Sequence, residues 1–227
     1  MDLVFVDANV LYSKTLRDWA LMLSEHCTRF AVVTSQDCII EALANFRETH
    51  RTADGGVIRQ IKASIEGALH DIISDWPGGE VPGMPDEKDW HVVNAATHAG
   101  VKILVTENMK DFAPIADAVP FDLYSADELF MLVADNDPSA VEEVVRQQVD
   151  YWSEVKKKRA AKGDPAPKGL SEALRDAGAP QFADFVRTTL RKLSGIRDDG
   201  AALTDSPTLT ASTEDGSDAA SSQLTFR

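Results

Sequence analysis

The chain alternates short apolar runs with longer stretches in which apolar residues recur every three or four positions. Residues 3–6 form a continuous apolar run, Leu-Val-Phe-Val, that stops at Asp7. That is the pattern of a central parallel strand with an acid at its carboxyl end. Residues 11–27 carry Leu16, Trp19, Ala20 and Leu23 at helical spacing. Residues 30–34 are apolar and β-branched and predict a second strand, after which Ser35 is placed to cap a helix running through 37–43. Residues 56–73, rich in Ile and Ala, predict a further helix. Residues 77–85 hold Pro77, Pro82 and Pro85 with Gly78, Gly79 and Gly83, and read as a loop. A helix is expected over 86–99, with Val92, Val93, Ala95 and Ala96 inward. Residues 102–106 predict a strand, Phe121 and Leu123 mark one more, and Ser125 opens a helix to about residue 133.

Strands that alternate with helices predict an α/β fold whose central, mostly parallel sheet is flanked by helices. Sites in such folds gather beyond the carboxyl ends of the strands, where Asp7 and Thr106 are both expected. The character changes after Asp135-Asn136-Asp137-Pro138. Residues 139–162 predict one long amphipathic helix, with Val141, Val144, Val145, Val149 and Trp152. A Gly-Asp-Pro-Ala-Pro linker follows at 163–167, then a helical pair over 170–193 broken near Gly178 and Pro180. The organisation expected is a first domain over 1–135, a helical C-terminal extension over 138–195, and a tail over 196–227. The tail is rich in Ser, Thr, Ala, Asp and Gly and reads as disordered.

Composition narrows the class. Hydrophobic residues at 44% and charged residues at 26% suit a soluble globular protein. No apolar run approaches the roughly 18–20 residues of a membrane helix. The N-terminus lacks the basic start and small-residue cleavage site of a signal peptide. Cys27 and Cys38, each in apolar surroundings, argue against a disulfide framework and for a reducing cytoplasm. No Cys/His spacing suggests structural zinc. The net charge of −14 runs against a nucleic-acid binder, because phosphates reward basic surfaces. Two features offset it: part of the acid excess lies in the tail, and part can belong to a metal site whose cations balance it.

The acids that stand out do so by position. Asp7 ends the first strand, in Val6-Asp7-Ala8-Asn9-Val10-Leu11. Glu41 sits between Ile40 and Ala42 on an apolar helix. Asp86 and Asp89 lie three apart at a helix start, and Asp111 closes Thr106-Glu107-Asn108-Met109-Lys110-Asp111 before Phe112. Hard divalent cations want oxygen ligands; magnesium takes one or two carboxylates, several waters and substrate phosphate oxygens. Such ions activate a bound water and stabilise a phosphodiester under in-line attack. Asn9 and Thr106 are placed to support the ligands or the phosphate by hydrogen bonds. Each acid also has a plainer reading: Asp7 and Asp86 as helix caps, Asp89 as an acid in a first helical turn, Glu41 as a surface residue, Asp111 as a turn.

Together these strings resemble the PIN-domain family, and within it the VapC-type toxin ribonucleases of toxin–antitoxin pairs. The resemblance rests on Asp7-Ala8-Asn9-Val10-Leu11, on Glu41 in Ile-Ile-Glu-Ala-Leu, on Asp89 to Ala96 after Pro85-Asp86, and on Thr106, Asn108, Asp111 and Phe112. It covers roughly residues 1–135. Two positions depart from it: Trp90 stands where an arginine is expected and Asn94 where an alanine is. The resemblance implies a PIN-like fold and a metal-dependent endoribonuclease using Mg²⁺ or Mn²⁺. It also implies a homodimer and inhibition by a small antitoxin. It assigns Asp7, Glu41, Asp89 and Asp111 to catalysis. Asp7, Asp89 and Asp111 would be metal ligands, with Asn9, Asp86, Thr106 and Asn108 in support.

Lys156-Lys157-Lys158-Arg159 is either a solvated helix terminus favoured by the helix dipole or an RNA-backbone contact, which Arg187, Arg191 and Lys192 would extend. His91 reads as structural, and His50 has no role that metal chemistry requires. Trp19, Trp76, Trp90 and Trp152 read as packing residues. No Gly-rich phosphate loop is present. A non-catalytic PIN-like module that binds RNA or protein is the alternative function. A haloacid-dehalogenase-type hydrolase would need Asp-x-Asp, and Asp7 is followed by Ala8-Asn9. DNA is the other polynucleotide such a site could accept.

Overall fold

The computed structural model describes residues 1–195, so the expected tail at 196–227 lies outside the described residues. Five parallel strands form one sheet in the order β3-β2-β1-β4-β5. They are β1 (Asp2–Val6), β2 (Phe30–Ser35), β3 (Asp71–Ile73), β4 (Ile103–Val105) and β5 (Asp122–Tyr124). The chain builds outward from β1 to β3 on one side, then returns to lay β4 against the other side of β1. The sheet therefore changes direction between β1 and β4. In doubly wound sheets a crevice opens at that point, beyond the carboxyl ends of the strands.

The ten helices among the described residues are α1 (Ala8–Tyr12), α2 (Lys14–His26), α3 (Gln36–Thr49), α4 (Gly55–Ala68), α5 (Trp90–Ala99), α6 (Met109–Phe112), α7 (Ala126–Asn136), α8 (Pro138–Lys162), α9 (Leu170–Asp176) and α10 (Pro180–Leu193). Several starts follow from capping chemistry. The Ser35 hydroxyl accepts from Cys38 N at 3.1 Å and opens α3. Ser125 and Glu128 form a reciprocal capping box on α7.

Two expectations are corrected. The helix expected over 11–27 is broken at Ser13, whose extended backbone ends α1 and caps α2. The helix expected over 56–73 ends at Ala68, and Asp71–Ile73 pairs instead with β2 as an edge strand. Leu69 turns to extended geometry at ψ 145°, so Ile58, Ile61 and Ile65 belong to one element and Ile72 and Ile73 to another.

The core is one continuous apolar cluster. The middle strands β1 and β2 supply Val4, Phe5, Val6, Val32 and Val33, almost wholly buried. The helices after residue 137 share that cluster rather than forming their own. Phe182 of α10 meets Trp19 of α2 edge-on at 5.1 Å and Phe130 of α7 at 5.1 Å. Val141, Val144 and Val145 of α8 are buried with them. No described helix is long and apolar enough to cross a membrane.

Candidate active site

Asp7 directly follows β1 and Thr106 directly follows β4, so both side chains stand at the crevice where the sheet changes direction. Asp7 is only 6% exposed. Its backbone N–H donates to Val105 O at 3.0 Å, which locks the two strand ends together. Its Oδ1 accepts from Ala8 N at 2.6 Å, so it does cap the first helix. Its Oδ2 accepts from Asn9 Nδ2 at 2.7 Å and from the Thr106 hydroxyl at 2.7 Å. One oxygen of Asp7 thus caps the helix and the other enters a side-chain hydrogen-bond network.

A connected network runs from there. Asn9 Nδ2 also donates to Thr106 Oγ1 at 3.0 Å, and Asn9 Oδ1 accepts from Glu107 N at 3.1 Å. Asn108 N donates to Thr106 Oγ1 at 3.0 Å, and Asn108 Nδ2 donates to Asp89 Oδ2 at 3.1 Å. Asp7, Asn9, Thr106, Asn108 and Asp89 are thus held in one set of hydrogen bonds. Asp111 opens from the single turn α6, whose start is fixed by Asp111 N donating to Asn108 O at 3.0 Å.

The electrostatics show which other acids face this network. Burial pushes the Asp7 carboxyl up to about 6; Thr106 and Ala8 N pull it down, and the Asp89 and Glu41 charges push it further up. Asp89 is raised by burial first, then by Asp86 and Glu41, with Asn108 opposing and Asp111 adding to the rise. The charges that bear on these two acids are carboxylates. The four predicted catalytic acids therefore share one field of repulsion, the condition under which a bound cation is stabilised. Among the described residues, no three His, Cys, Asp or Glu side chains are gathered closely enough to close around a single ion. The donor chemistry still fits a hard divalent cation, because every donor is oxygen and magnesium completes its shell with water and phosphate.

The supporting residues divide. Asp86 Oδ1 accepts from Lys88 N at 3.0 Å and caps the 3-10 turn Glu87–Asp89 that precedes α5, so it reaches the site through charge on Asp89. Glu41 is about half exposed, and its Oε2 lies 3.6 Å from His91 Nε2. The Cys38 side chain and Glu41 push His91 up to about 10, against burial, which lowers it. His91, read from the sequence as structural, stands beside Glu41 at the rim of the acidic field. His91 Nδ1 and Trp90 Nε1 are buried without hydrogen-bond partners among the described residues. Asn94, where an alanine was expected, donates to Gly79 O at 2.8 Å and pins the proline–glycine loop. His50 stacks on Phe46 at the end of α3.

Residues 3–110 match the family model of the PIN domain. The match supports the PIN-domain family and a nuclease reading, since PIN domains are generally nucleases that use divalent metal ions. It spans β1 to β4 and stops one residue before Asp111. Neither the curated proteins nor the solved structures yield a match.

Sequence reasoning passed over two residues of this region. Glu107 was the unspecified position inside Thr106-x-Asn108, yet its backbone N–H holds Asn9. Asp127 is 5% exposed and accepts from Gln181 N at 3.1 Å and Phe182 N at 2.8 Å, capping α10 from another helix. An acid two residues past a capping serine looks like an ordinary first-turn acid, and only the fold reveals its partner.

Proposed function

We propose that this PIN domain is a metal-dependent endoribonuclease, the toxin of a toxin–antitoxin pair. The observation that carries the nuclease reading is the hydrogen-bonded network Asp7–Asn9–Thr106–Asn108–Asp89 at the carboxyl ends of β1 and β4. Asp7, Asp89 and Asp111 would hold Mg²⁺ or Mn²⁺. Such an ion, when bound, would supply an activated water and charge stabilisation at the phosphodiester. Asn9 and Thr106 fix the rotamer of Asp7, and Asn108 fixes that of Asp89. Glu41, beside His91 at the rim, is placed to orient or deprotonate an incoming water. The burial of Asp7 excludes bulk solvent and strengthens each of these contacts.

RNA as substrate, the small antitoxin and a homodimer rest on the resemblance of the motif strings to the toxin ribonucleases. The exposed basic residues at the end of α8 suit an RNA backbone, although Lys157 already pairs with Glu154 at 2.6 Å. The test is incubation of total cellular RNA with the wild-type chain and with Asp7→Ala, in Mn²⁺ and in EDTA. Discrete fragments from the wild type in metal alone are expected, and their ends would identify the target. Equal fragment patterns from both folded proteins would refute the catalytic reading.

A further inference from the structure

We propose that Glu107 is a positioning residue that couples the C-terminal helices to the catalytic carboxylate Asp7; this rests on the nuclease reading above. Its two ends face different parts of the molecule. The backbone N–H donates to Asn9 Oδ1, which leaves Asn9 Nδ2 to hold Asp7 and Thr106. An amide side chain without that acceptor contact is free to flip and present its oxygen to Asp7, where two acceptors would repel. The carboxylate turns the other way: its Oε1 accepts from Ala126 N, at the start of α7, at 2.9 Å.

The anchor at α7 is itself clamped. Asp127, the next residue, accepts from Gln181 N and Phe182 N, the first donors of α10. The N-terminus of α7 is thus fixed between Glu107 on one side and α10 on the other. The turn between α9 and α10 closes on the same carboxylate. A β-carbon on Gly178 would lie 3.3 Å from Glu107 Oε2, and Gly178 has φ +100°, where side chains are strained. The close approach and the glycine it requires place α9 and α10 directly behind the loop 106–108. The Ser125–Glu128 capping box serves the Ser125 and Glu128 N–H groups, and Glu107 supplies the acceptor for the Ala126 N–H that the box leaves open. The backbone link to Asn9 gives the contact its second end.

The experiment compares full-length wild type, Glu107→Ala and Glu107→Gln. RNA cleavage is followed at saturating Mn²⁺, and hydrogen exchange at the Glu107 backbone amide and the Asn9 side-chain amide is followed by NMR. Glu107→Ala is expected to lower kcat by about tenfold with KM within about twofold, the effect of losing one orienting hydrogen bond. Both amides should exchange faster. Glu107→Gln keeps a carbonyl acceptor for Ala126 N and should restore both readouts. Should Glu107→Ala fail to fold by circular dichroism, Glu107→Met, which keeps the side-chain length without an acceptor, takes its place. Wild-type kcat and wild-type exchange in the acceptor-free variant would overturn the proposal. So would a Gln variant as impaired as the Ala variant. If the wild type itself cuts no RNA, the nuclease reading fails and the exchange rates alone decide whether Glu107 positions Asn9.

Discussion

Asp7 is buried with three donors on its two oxygens and two further acids near enough to act on it. Burial and repulsion win over the donors, and the carboxyl is pushed up to about 6. A folded-state pKa above the unfolded value means that the native state binds the proton more tightly. Asp7 therefore favours folding while protonated, and that contribution is lost as pH rises from about 4 to about 6. Above that window, without metal, the ionised carboxylate destabilises the fold by on the order of 2–3 kcal/mol. Urea unfolding in EDTA of the wild type and Asp7→Asn should show a stability gap that opens between pH 4 and 6 in favour of Asn, then stays constant. A gap independent of pH would contradict the assignment. Added Mg²⁺ should raise the melting temperature of the wild type more than that of Asp7→Asn, since an ion that binds only the native state stabilises it by mass action.

Helices and strands show where the sequence was legible. β1, β2 and β4 were readable because continuous apolar runs end at polar residues, and the α3 and α7 starts because Ser35 and Ser125 are serine caps. The edge strand Asp71–Ile73 was not, because Ile72 and Ile73 continue the helical rhythm of Ile58, Ile61 and Ile65, and Gly67, the one breaker residue between them, lies within α4 rather than beyond its end. Its strand character comes from pairing with β2, which is tertiary information. The break at Ser13 was hidden in the same way, since Val10, Leu11 and Leu16 keep one apolar rhythm across it. Of the site, the acids and their order were legible. The hydrogen bonds from Asn108 to Asp89 and from Glu107 to Asn9 were not, because they join residues 19 and 98 positions apart. The cap on α10 is a further contact of this kind. Asp127→Ala leaves two donors of α10 without partners and should cost about 1–2 kcal/mol. Hydrogen exchange of the Gln181 and Phe182 amides should report the loss locally.

Across the whole molecule, the C-terminal helices share the core of the five-stranded α/β domain. Phe182 is fully buried against Trp19 and Phe130, residues from helices on the other side of the 137–138 junction. Phe182→Ala should cost about 3–5 kcal/mol. It should lower the unfolding midpoint of the entire chain in one transition, read by both fluorescence and circular dichroism. Two separate transitions would show that the helices form an independent unit. The net charge of −14 is compatible with a cation-dependent site, because Asp7, Glu41, Asp89 and Asp111 concentrate negative charge at one crevice. The measurement that reaches the central claim most directly is single-turnover cleavage of one RNA fragment in Mn²⁺ by the wild type, Asp89→Asn and Asp86→Asn. Asp89 is held in the network by Asn108, whereas Asp86 caps the 3-10 turn beside it. The account predicts that Asp89→Asn loses about a hundredfold or more in rate while Asp86→Asn stays within about tenfold of the wild type. An Asp89→Asn protein that cuts at the wild-type rate would contradict it.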